Sequence, residues 1–123
     1  MYAKLTRANV QKFEAQVRKT YEGVFFELML THNLLVGNRI ELTWIIVKDR
    51  KQGIGSAIMR ELCDFADRYA VDITLTPASK GDHAATTSRA RLIRFYKRFG
   101  FAADKHKAVA IPGIPPLIRK PVV

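Results

Sequence analysis

The sequence has little of what several classes of functional site require. Among its 123 residues there is one cysteine, which excludes an internal disulfide. Cys63 lies in a segment with helical periodicity, where a small packing residue is expected rather than a nucleophile. The histidines, His32, His83 and His106, are scattered, and no pair has the spacing of zinc ligands. The sequence therefore predicts no metal site.

Long apolar runs are also missing. No run approaches the roughly 20 residues that a helix needs to cross a bilayer, and the opening stretch MYAKLTRANVQKF lacks the apolar core of a secretory signal. We therefore expect a soluble cytoplasmic protein with no membrane partner. With 48% hydrophobic residues there is material for one ordinary core and too little for two, so residues 1–123 are interpreted as a single domain.

Acidic residues are outnumbered. The chain carries 21 lysines and arginines against 11 aspartates and glutamates, and the formal charge of +10 attracts phosphates or acidic partners. Many of these cations crowd residues 89–98, between apolar residues at helical spacing. A solvated basic helix face is the favoured interpretation, because no recognised nucleic-acid module accompanies it. Nucleic-acid binding is the alternative.

Periodicity predicts the first elements. Val10, Phe13 and Val17 recur at helical spacing, which indicates a helix over residues 8–21. Residues 24–31 and 39–47 are typical of strands, and the turn residues between them predict an antiparallel pair. Alternation in the second strand predicts an apolar face and a face with a single carboxylate. The first face holds Ile40, Leu42, Trp44 and Ile46, and the second holds Glu41, Thr43, Ile45 and Val47.

Periodicity also predicts a strand–helix–strand unit. Residues 54–69 have the apolar stripe of a helix, and residues 71–76 read as a strand that ends before Pro77. Strands on either side of such a helix are expected to lie parallel, joined by a right-handed crossover. Residues 89–99 predict another helix, stopped by Gly100. The proline-rich tail is expected to add at most one or two short edge strands.

Two glycines stand between the second strand and its helix, in the hexad Arg50-Lys51-Gln52-Gly53-Ile54-Gly55. Glycine weakens strands and helices, so a pair here suggests a sharp turn or a close backbone approach. A Walker loop would need lysine after the second glycine, and a dinucleotide fingerprint would need a third glycine where Ile58 stands. The remaining pattern is [QR]xxGx[GA], whose backbone N–H groups would face a pyrophosphate at the start of a helix.

This hexad resembles the coenzyme A motif of the GNAT superfamily of acyl-CoA-dependent N-acetyltransferases. Its neighbours extend the resemblance, because RLIRFYKRFGF at residues 91–101 is similar to the GNAT segment LYxKxGF. The likeness covers roughly residues 24–101 and is greatest to short bacterial and phage-type members. It implies a mixed α/β fold with a central mixed sheet flanked by helices.

The resemblance also implies acetyl-CoA as the cosubstrate. Two parallel strands would splay into a wedge for its pantetheine arm, which would pair with backbone groups of Ile45, Ile46 and Val47, with the Ile45 N–H near the thioester oxygen. The pyrophosphate would be held by Arg50, Lys51, Gln52, Gly53, Ile54, Gly55 and Ser56. Many relatives carry an asparagine before the family tyrosine, where this chain reads AATTSRAR. Ser88 or Arg89 is a candidate to take the place of that asparagine, and Arg89 could instead contact a phosphate.

Two side chains are implied in catalysis. Glu41 occupies the position of the glutamate of GNAT histone acetyltransferases and could accept the ammonium proton of an amine, directly or through water. The alternative is a solvent-facing strand carboxylate. Tyr96 matches the family tyrosine beside the coenzyme sulfur and is the candidate acid for the departing thiolate. The alternative is a core tyrosine beside Phe95 and Phe99.

The expected function is therefore transfer of an acetyl group from acetyl-CoA to an unidentified primary amine, by direct attack in a ternary complex. Two alternatives stay open at this point: a non-catalytic acyl-CoA-binding module with the same fold, and a nucleic-acid-associated module. Exposed strand edges near the tail leave room for a homodimer.

Overall fold

The computed structural model describes residues 4–23, 26–33, 38–47, 53–76, 89–103 and 116–122. Each helix and strand that periodicity predicted is present, with ends displaced by at most two residues. None of the helices in these ranges is long and apolar enough to cross a membrane. In chain order the elements are α1 (Arg7–Thr20), β1 (Phe26–Asn33), β2 (Arg39–Val47), α2 (Ile54–Arg68), β3 (Asp72–Leu75), α3 (Arg89–Lys97), β4 (Ala102–Ala103) and β5 (Leu117–Arg119).

Helix α1 begins with a capping box. The Thr6 hydroxyl accepts a hydrogen bond from the Asn9 N–H at 3.2 Å, and the Asn9 side-chain oxygen accepts one from the Thr6 N–H at 3.2 Å. These bonds satisfy N–H groups that the first turn of a helix leaves without partners. Phe13 stacks on Phe65 of α2, with ring centroids 4.5 Å apart. Helices α1 and α2 therefore lie side by side.

The strands form a mixed sheet in the order β1-β2-β3-β5-β4. As predicted, β1 and β2 are antiparallel and β2 and β3 are parallel, with α2 as the connection. Helix α1 packs against β1, and α2 packs against β2 and β3. The core lies between these helices and the sheet, where Leu28, Leu30, Ile40 and Ile73 are buried.

A β-bulge in β2 changes the predicted alternation of side chains. The pairing with β1 is regular up to Leu42, but the next pair joins Met29 to Trp44, so Thr43 is an extra residue in β2. Beyond the bulge the faces of β2 exchange, and Ile45 packs against the core. The prediction that placed Ile45 on the face away from Leu42 is therefore wrong.

The tail also differs from its prediction. Strand β4 lies at the edge of the described sheet, but β5 lies between β3 and β4 and is therefore not an edge strand. Pro116 and Pro121 flank β5 rather than interrupt it, so its N–H groups are free to pair on both sides. Arg119 at its end is 6% exposed and forms two hydrogen bonds with the Asp67 carboxylate, of 2.8 and 3.0 Å. This contact fastens β5 to α2.

Candidate active site

The parallel pairing of β2 with β3 stops well before β2 ends. Its last pair joins Glu41 to Thr74, whereas β2 continues to Val47. Residues 42–47 therefore have no ladder partner on the β3 side among the described strands. Every second N–H and C=O of an extended strand points to that side, and such groups require other partners. The strand edge without a described partner lies at the carboxyl ends of the two strands, where open α/β sheets bind ligands. The wedge that the GNAT resemblance implies at this edge stays a prediction.

Gly53 makes the bend from which α2 begins. It is the N-cap of α2 with φ 67° and ψ 18°, a left-handed conformation that glycine adopts without strain. Among the described residues, a Cβ placed there would meet no atom within 4 Å, so conformation rather than crowding favours glycine at this position. No described side chain caps the helix, and its first turn contains no acidic residue. No described group therefore blocks an anion at the start of α2.

The amide groups at this helix start are available as donors. The first intrahelical bond runs from the Ala57 N–H to the Gly53 C=O at 3.1 Å. The N–H groups of Ile54, Gly55 and Ser56 precede that bond and have no partner within the helix. The Ile54 side chain is buried in the core, so its backbone alone can face a ligand. Donors in this arrangement, at the positive end of the helix dipole, suit a phosphate group.

Several predicted contacts lie outside the described residues. Arg50, Lys51, Gln52 and Ser88 belong to this group. The backbones of Ile46 and Val47 belong to β2 and that of Arg89 begins α3, but their side chains are not described. Their roles toward a coenzyme stay predictions.

Glu41 lies in the last pair of the described β2–β3 ladder. It is half-buried and sits between Thr31 of β1 and Thr74 of β3. Thr31 is exposed, whereas Thr74 is 3% exposed, so Glu41 marks the border between the open and the covered part of this sheet face. A half-buried carboxylate in this position can be reached from solvent, which suits a general base.

Tyr96 is part of an aromatic cluster in the core. It is 7% exposed and packs edge-on against Phe95 and Phe101, with centroid distances of 5.3 and 5.7 Å. Burial raises the pKa of Tyr96 to about 12. Its hydroxyl is therefore protonated across the physiological pH range, and the ring fits the core-tyrosine interpretation.

The raised pKa narrows the chemistry that Tyr96 can perform. An ordinary phenol, with a pKa near 10, is a weaker acid than a thiol, with a pKa near 8.5, so full proton transfer from tyrosine to a thiolate is already uphill. A pKa of about 12 makes this transfer more unfavourable. The hydroxyl can still donate a hydrogen bond to a thiolate, which stabilises it without transfer. The role toward a thiolate that fits Tyr96 is therefore hydrogen-bond donation rather than the full proton transfer that the sequence suggested.

Cys63 differs chemically from these groups. It is 6% exposed, and burial raises the pKa of its thiol, which disfavours the nucleophilic thiolate. The structure thus supports the prediction of a packing residue. No set of three histidine, cysteine, aspartate or glutamate side chains in the described ranges is arranged to hold a metal ion.

The bulge at Thr43 is the feature of this site that sequence reasoning missed. It adds one residue between Glu41 and Ile45 on the strand that borders the gap. Bulges recur beside active sites because they re-aim the groups that follow them. The residues around Thr43 are mostly apolar or β-branched and predict a regular strand, so no local signal marks the extra residue.

Comparison with solved structures places this architecture among known folds. The anti-CRISPR protein AcrVA5 is similar with a TM-score of 0.57 and 19% identity, over 78% of this chain and 97% of that chain. Arabidopsis thaliana Naa50, solved in complex with the bisubstrate analogue CoA-Ac-MVNAL, is similar with a TM-score of 0.49 and 13% identity over 96% of both chains. An acetyltransferase from the GNAT family of Bacteroides thetaiotaomicron is similar with a TM-score of 0.43 and 14% identity, over 100% of this chain and 88% of that chain. No protein-family model and no curated protein sequence matches this chain.

At these identities the similarity concerns the fold alone. The fold consists of a mixed five-stranded sheet, a parallel β2–α2–β3 crossover and a glycine bend at the start of α2. The described β2–β3 ladder ends at Glu41. The chain therefore shares a fold with AcrVA5 over 78% of its length, and membership of the GNAT superfamily stays a prediction from the sequence resemblance.

Proposed function

We propose that this protein transfers an acetyl group from acetyl-CoA to a primary amine, by direct attack in a ternary complex. The observation that carries the proposal is the end of the β2–β3 ladder at Glu41, on a strand that runs on toward the open start of α2. Among the described residues, this edge of β2 has no ladder partner beyond Glu41, so it offers backbone groups to an extended arm, and α2 offers N–H groups to phosphates. The GNAT resemblance of the loop hexad gives the same assignment.

The described residues can be assigned to successive steps of the reaction. Acetyl-CoA would supply the acetyl group as an activated thioester. Glu41 takes a proton from the ammonium group, so the neutral nitrogen can attack the carbonyl carbon as the C–N bond forms and the C–S bond breaks. Backbone donors, with the Ile45 N–H as the proposed one, stabilise the charge on the carbonyl oxygen. Tyr96 donates a hydrogen bond to the departing thiolate, the nitrogen loses its second proton to that thiolate or to solvent as the amide forms, and the proton on Glu41 returns to solvent.

The acceptor reaches Glu41 over the open face of β1 and β2. Glu27, Met29 and Thr31 of β1 and Thr43 of β2 are exposed there, and Met29 is 43% exposed. Cys63 is buried and is therefore not available as an enzyme nucleophile, and direct attack by the amine does not require one. Amine and thioester therefore react with each other rather than through the protein.

A pair of substitutions at Gly53 tests the phosphate site. Both aspartate and asparagine tolerate the left-handed conformation better than other residues, so the two variants differ mainly in charge. A carboxylate about 4 Å from a phosphate near the surface costs about 1–4 kcal/mol. We therefore expect Gly53→Asp to bind acetyl-CoA at least about 10-fold more weakly than Gly53→Asn in isothermal titration calorimetry.

Equal affinities of the two Gly53 variants would show that no phosphate approaches this bend. Thermal unfolding of both variants without ligand provides the control, because a shared loss of stability would reflect the backbone alone. If wild-type protein is stabilised by acetyl-CoA but releases no thiol with a broad panel of amines, it is a non-catalytic acyl-CoA-binding module instead.

Glu41→Gln tests the proposed base. The amide has nearly the same shape but cannot accept the ammonium proton, so we expect turnover to fall by about 100-fold or more. Steady-state thiol release at saturating acetyl-CoA measures this loss.

Glu27→Gln is the matched control for Glu41→Gln. Glu27 is an exposed carboxylate on the same sheet face, in the neighbouring strand. Its replacement should change turnover less than about 3-fold, since the proposed reaction assigns it no proton. Unchanged turnover in Glu41→Gln would instead assign the base to a chain of water molecules.

A further inference from the structure

Strand β1 is an edge of the described sheet: it pairs with β2 on one side, and no described strand pairs with its other side. The C=O of Leu28 accepts a hydrogen bond from the Arg18 Nη2 at 3.4 Å. A donor on α1 rather than on β2 indicates that this C=O points to the outer side. Because the extra residue of the bulge lies in β2, groups along β1 alternate regularly, and those of Leu30 and His32 also point outward. Described residues supply no outer partner for Leu30 to His32, a stretch that we call the β1 open edge.

Thr31 lies at the centre of the β1 open edge, and its side chain is exposed. The side chains of its two neighbours are engaged elsewhere. Leu30 is 8% exposed and belongs to the core. The Asn38 Nδ2 donates to the Leu5 C=O at 3.3 Å, so its Oδ1 accepts a hydrogen bond from the His32 Nε2. Leu30 and His32 therefore offer a partner their backbone groups, on either side of a small exposed side chain.

The β1 open edge is in register with the proposed base. Thr31 and Glu41 are Cα partners in the β1–β2 ladder. Paired Cα atoms lie about 4.5–5.5 Å apart, so a residue that paired with Thr31 from the outer side would have its Cα about 10 Å from that of Glu41. An extended lysine side chain spans about 6 Å and a glutamate side chain about 4 Å. A lysine in that position therefore reaches the Glu41 carboxylate across Thr31.

We propose that the acceptor is a lysine in an extended segment of polypeptide, which adds to β1 as an antiparallel strand and sets that lysine opposite Thr31. This inference rests on the proposed acetyl transfer. The residues on either side of the lysine exchange hydrogen bonds with Leu30 and His32, while the N–H and C=O of the lysine itself point away from β1. Main-chain bonds thus supply affinity, and the reach to Glu41 selects the residue that is acetylated.

A second copy of the chain fits the same edge less well. Helix α1 packs against β1, and the contact of Arg18 with Leu28 places α1 beside the outer side of that strand. Two copies paired through β1 would bring their α1 helices together, and each α1 contains four cations against one carboxylate. The β1 open edge also spans only Leu30 to His32. Such a short edge suits a substrate that must leave after reaction better than a stable dimer.

Two acceptors test the proposal: a short peptide of threonine and valine with one central lysine, blocked at both ends, and n-butylamine, which matches the lysine side chain alone. We expect kcat/KM for the peptide to be at least about 10-fold higher. N-methylation of the two residues that flank the lysine should remove this advantage, because it deletes the donors to Leu30 and His32. N-methylation of the lysine backbone is the matched control and should change kcat/KM less than about 3-fold, since that N–H points away from β1.

Amide hydrogen exchange followed by NMR gives a readout without acetyl-CoA. Saturating peptide should slow exchange of the Leu30 and His32 N–H groups by at least about 10-fold, while the Thr31 N–H, which faces β2, should change little. Equal losses for the two N-methylated peptides, or unchanged exchange at Leu30 and His32, would overturn the proposal. If n-butylamine is acetylated and the peptide reacts no faster, the edge is rejected and acetyl transfer stands. If neither amine is acetylated, the proposed function fails, and this inference fails with it.

Discussion

Replacing Arg119 with methionine is expected to lower the free energy of unfolding by about 3 kcal/mol. The Arg119 side chain is 8% exposed and forms a bidentate pair with Asp67, while its Nε donates to the Phe99 carbonyl at 2.8 Å. Asp67 also accepts a hydrogen bond from the Val122 N–H at 2.9 Å. The pair thus joins α2, the turn after α3 and the segment that contains β5. Without the guanidinium, Asp67 would be a half-buried charge that keeps the Val122 N–H as a donor but has lost its ion-pair partner.

Thermal unfolding should show a decrease in Tm of roughly 10 °C for Arg119→Met, given the size of the chain. Lys120→Met is the control, since Lys120 is the next residue and pairs with Asp72 at 3.2 Å but is 71% exposed. An exposed pair contributes less than about 1 kcal/mol, so its variant should remain near wild type. Similar decreases in Tm for both variants would show that the Arg119–Asp67 pair stabilises the fold no more than an exposed pair does.

The effect of Arg119→Met should also depend on pH. The hydrogen-bonded Arg119 guanidinium holds the pKa of Asp67 below its usual value of 3.8. A carboxylate with a lowered folded-state pKa contributes its full stability above the unfolded value, and that contribution is lost as pH falls through the folded value. The difference in stability between wild type and Arg119→Met should therefore be largest near neutral pH and shrink below about pH 4. Urea unfolding at several pH values measures it.

Tyr96→Phe is expected to lower the turnover of acetyl transfer by about 100-fold while the Kd for acetyl-CoA changes less than about 3-fold. This expectation depends on the proposed function. Phenylalanine keeps the ring and its contacts with Phe95 and Phe101, so the substitution removes only the hydroxyl. The loss should fall on turnover because the proposed hydrogen bond strengthens as negative charge develops on the sulfur. Steady-state thiol release and calorimetric coenzyme binding separate the two effects.

The pH profile distinguishes this role from titration of the tyrosine. Because the pKa of Tyr96 is about 12, the hydroxyl stays neutral in any ordinary assay. The ratio of wild-type to Tyr96→Phe turnover should therefore be constant from about pH 6 to pH 9. A ratio that changes strongly with pH would reject a neutral donor, and unchanged turnover would leave Tyr96 with a packing role alone.

Tyr21→Phe is the matched control for Tyr96→Phe. The Tyr21 hydroxyl donates a hydrogen bond of 2.8 Å to Glu61, which links the end of α1 to α2. Removing it should cost about 1 kcal/mol of stability and leave turnover within about 2-fold of wild type. An equal loss of turnover in both variants would indicate a general effect of disturbing the core.

Much of the fold could be predicted because burial periodicity is a local property. The apolar spacing in residues 8–21 and 54–69 reports which face of each helix meets the sheet. The parallel crossover followed from the order of elements, since a strand joined to the next by a helix has few other ways to pair. The glycine bend could be located because Gly53 adopts a backbone conformation that few other residues adopt.

Other features could not be predicted because they depend on residues distant in sequence. The bulge at Thr43 is a property of the register between two strands, and no residue near it marks the inserted position. The central place of β5 and the Asp67–Arg119 pair depend on which segment the tail meets after the chain has folded. The raised pKa of Tyr96 likewise reflects the burial supplied by surrounding segments.

The sequence by itself determined the elements, their parallel crossover and the glycine bend, since each of these follows from neighbouring residues and backbone conformation. Only the tertiary structure decided the register of β2 against β3, which places Glu41 in the last pair of their described ladder, and how the tail is fastened by Arg119. These properties arise from contacts between segments whose partners a linear pattern of residues does not specify.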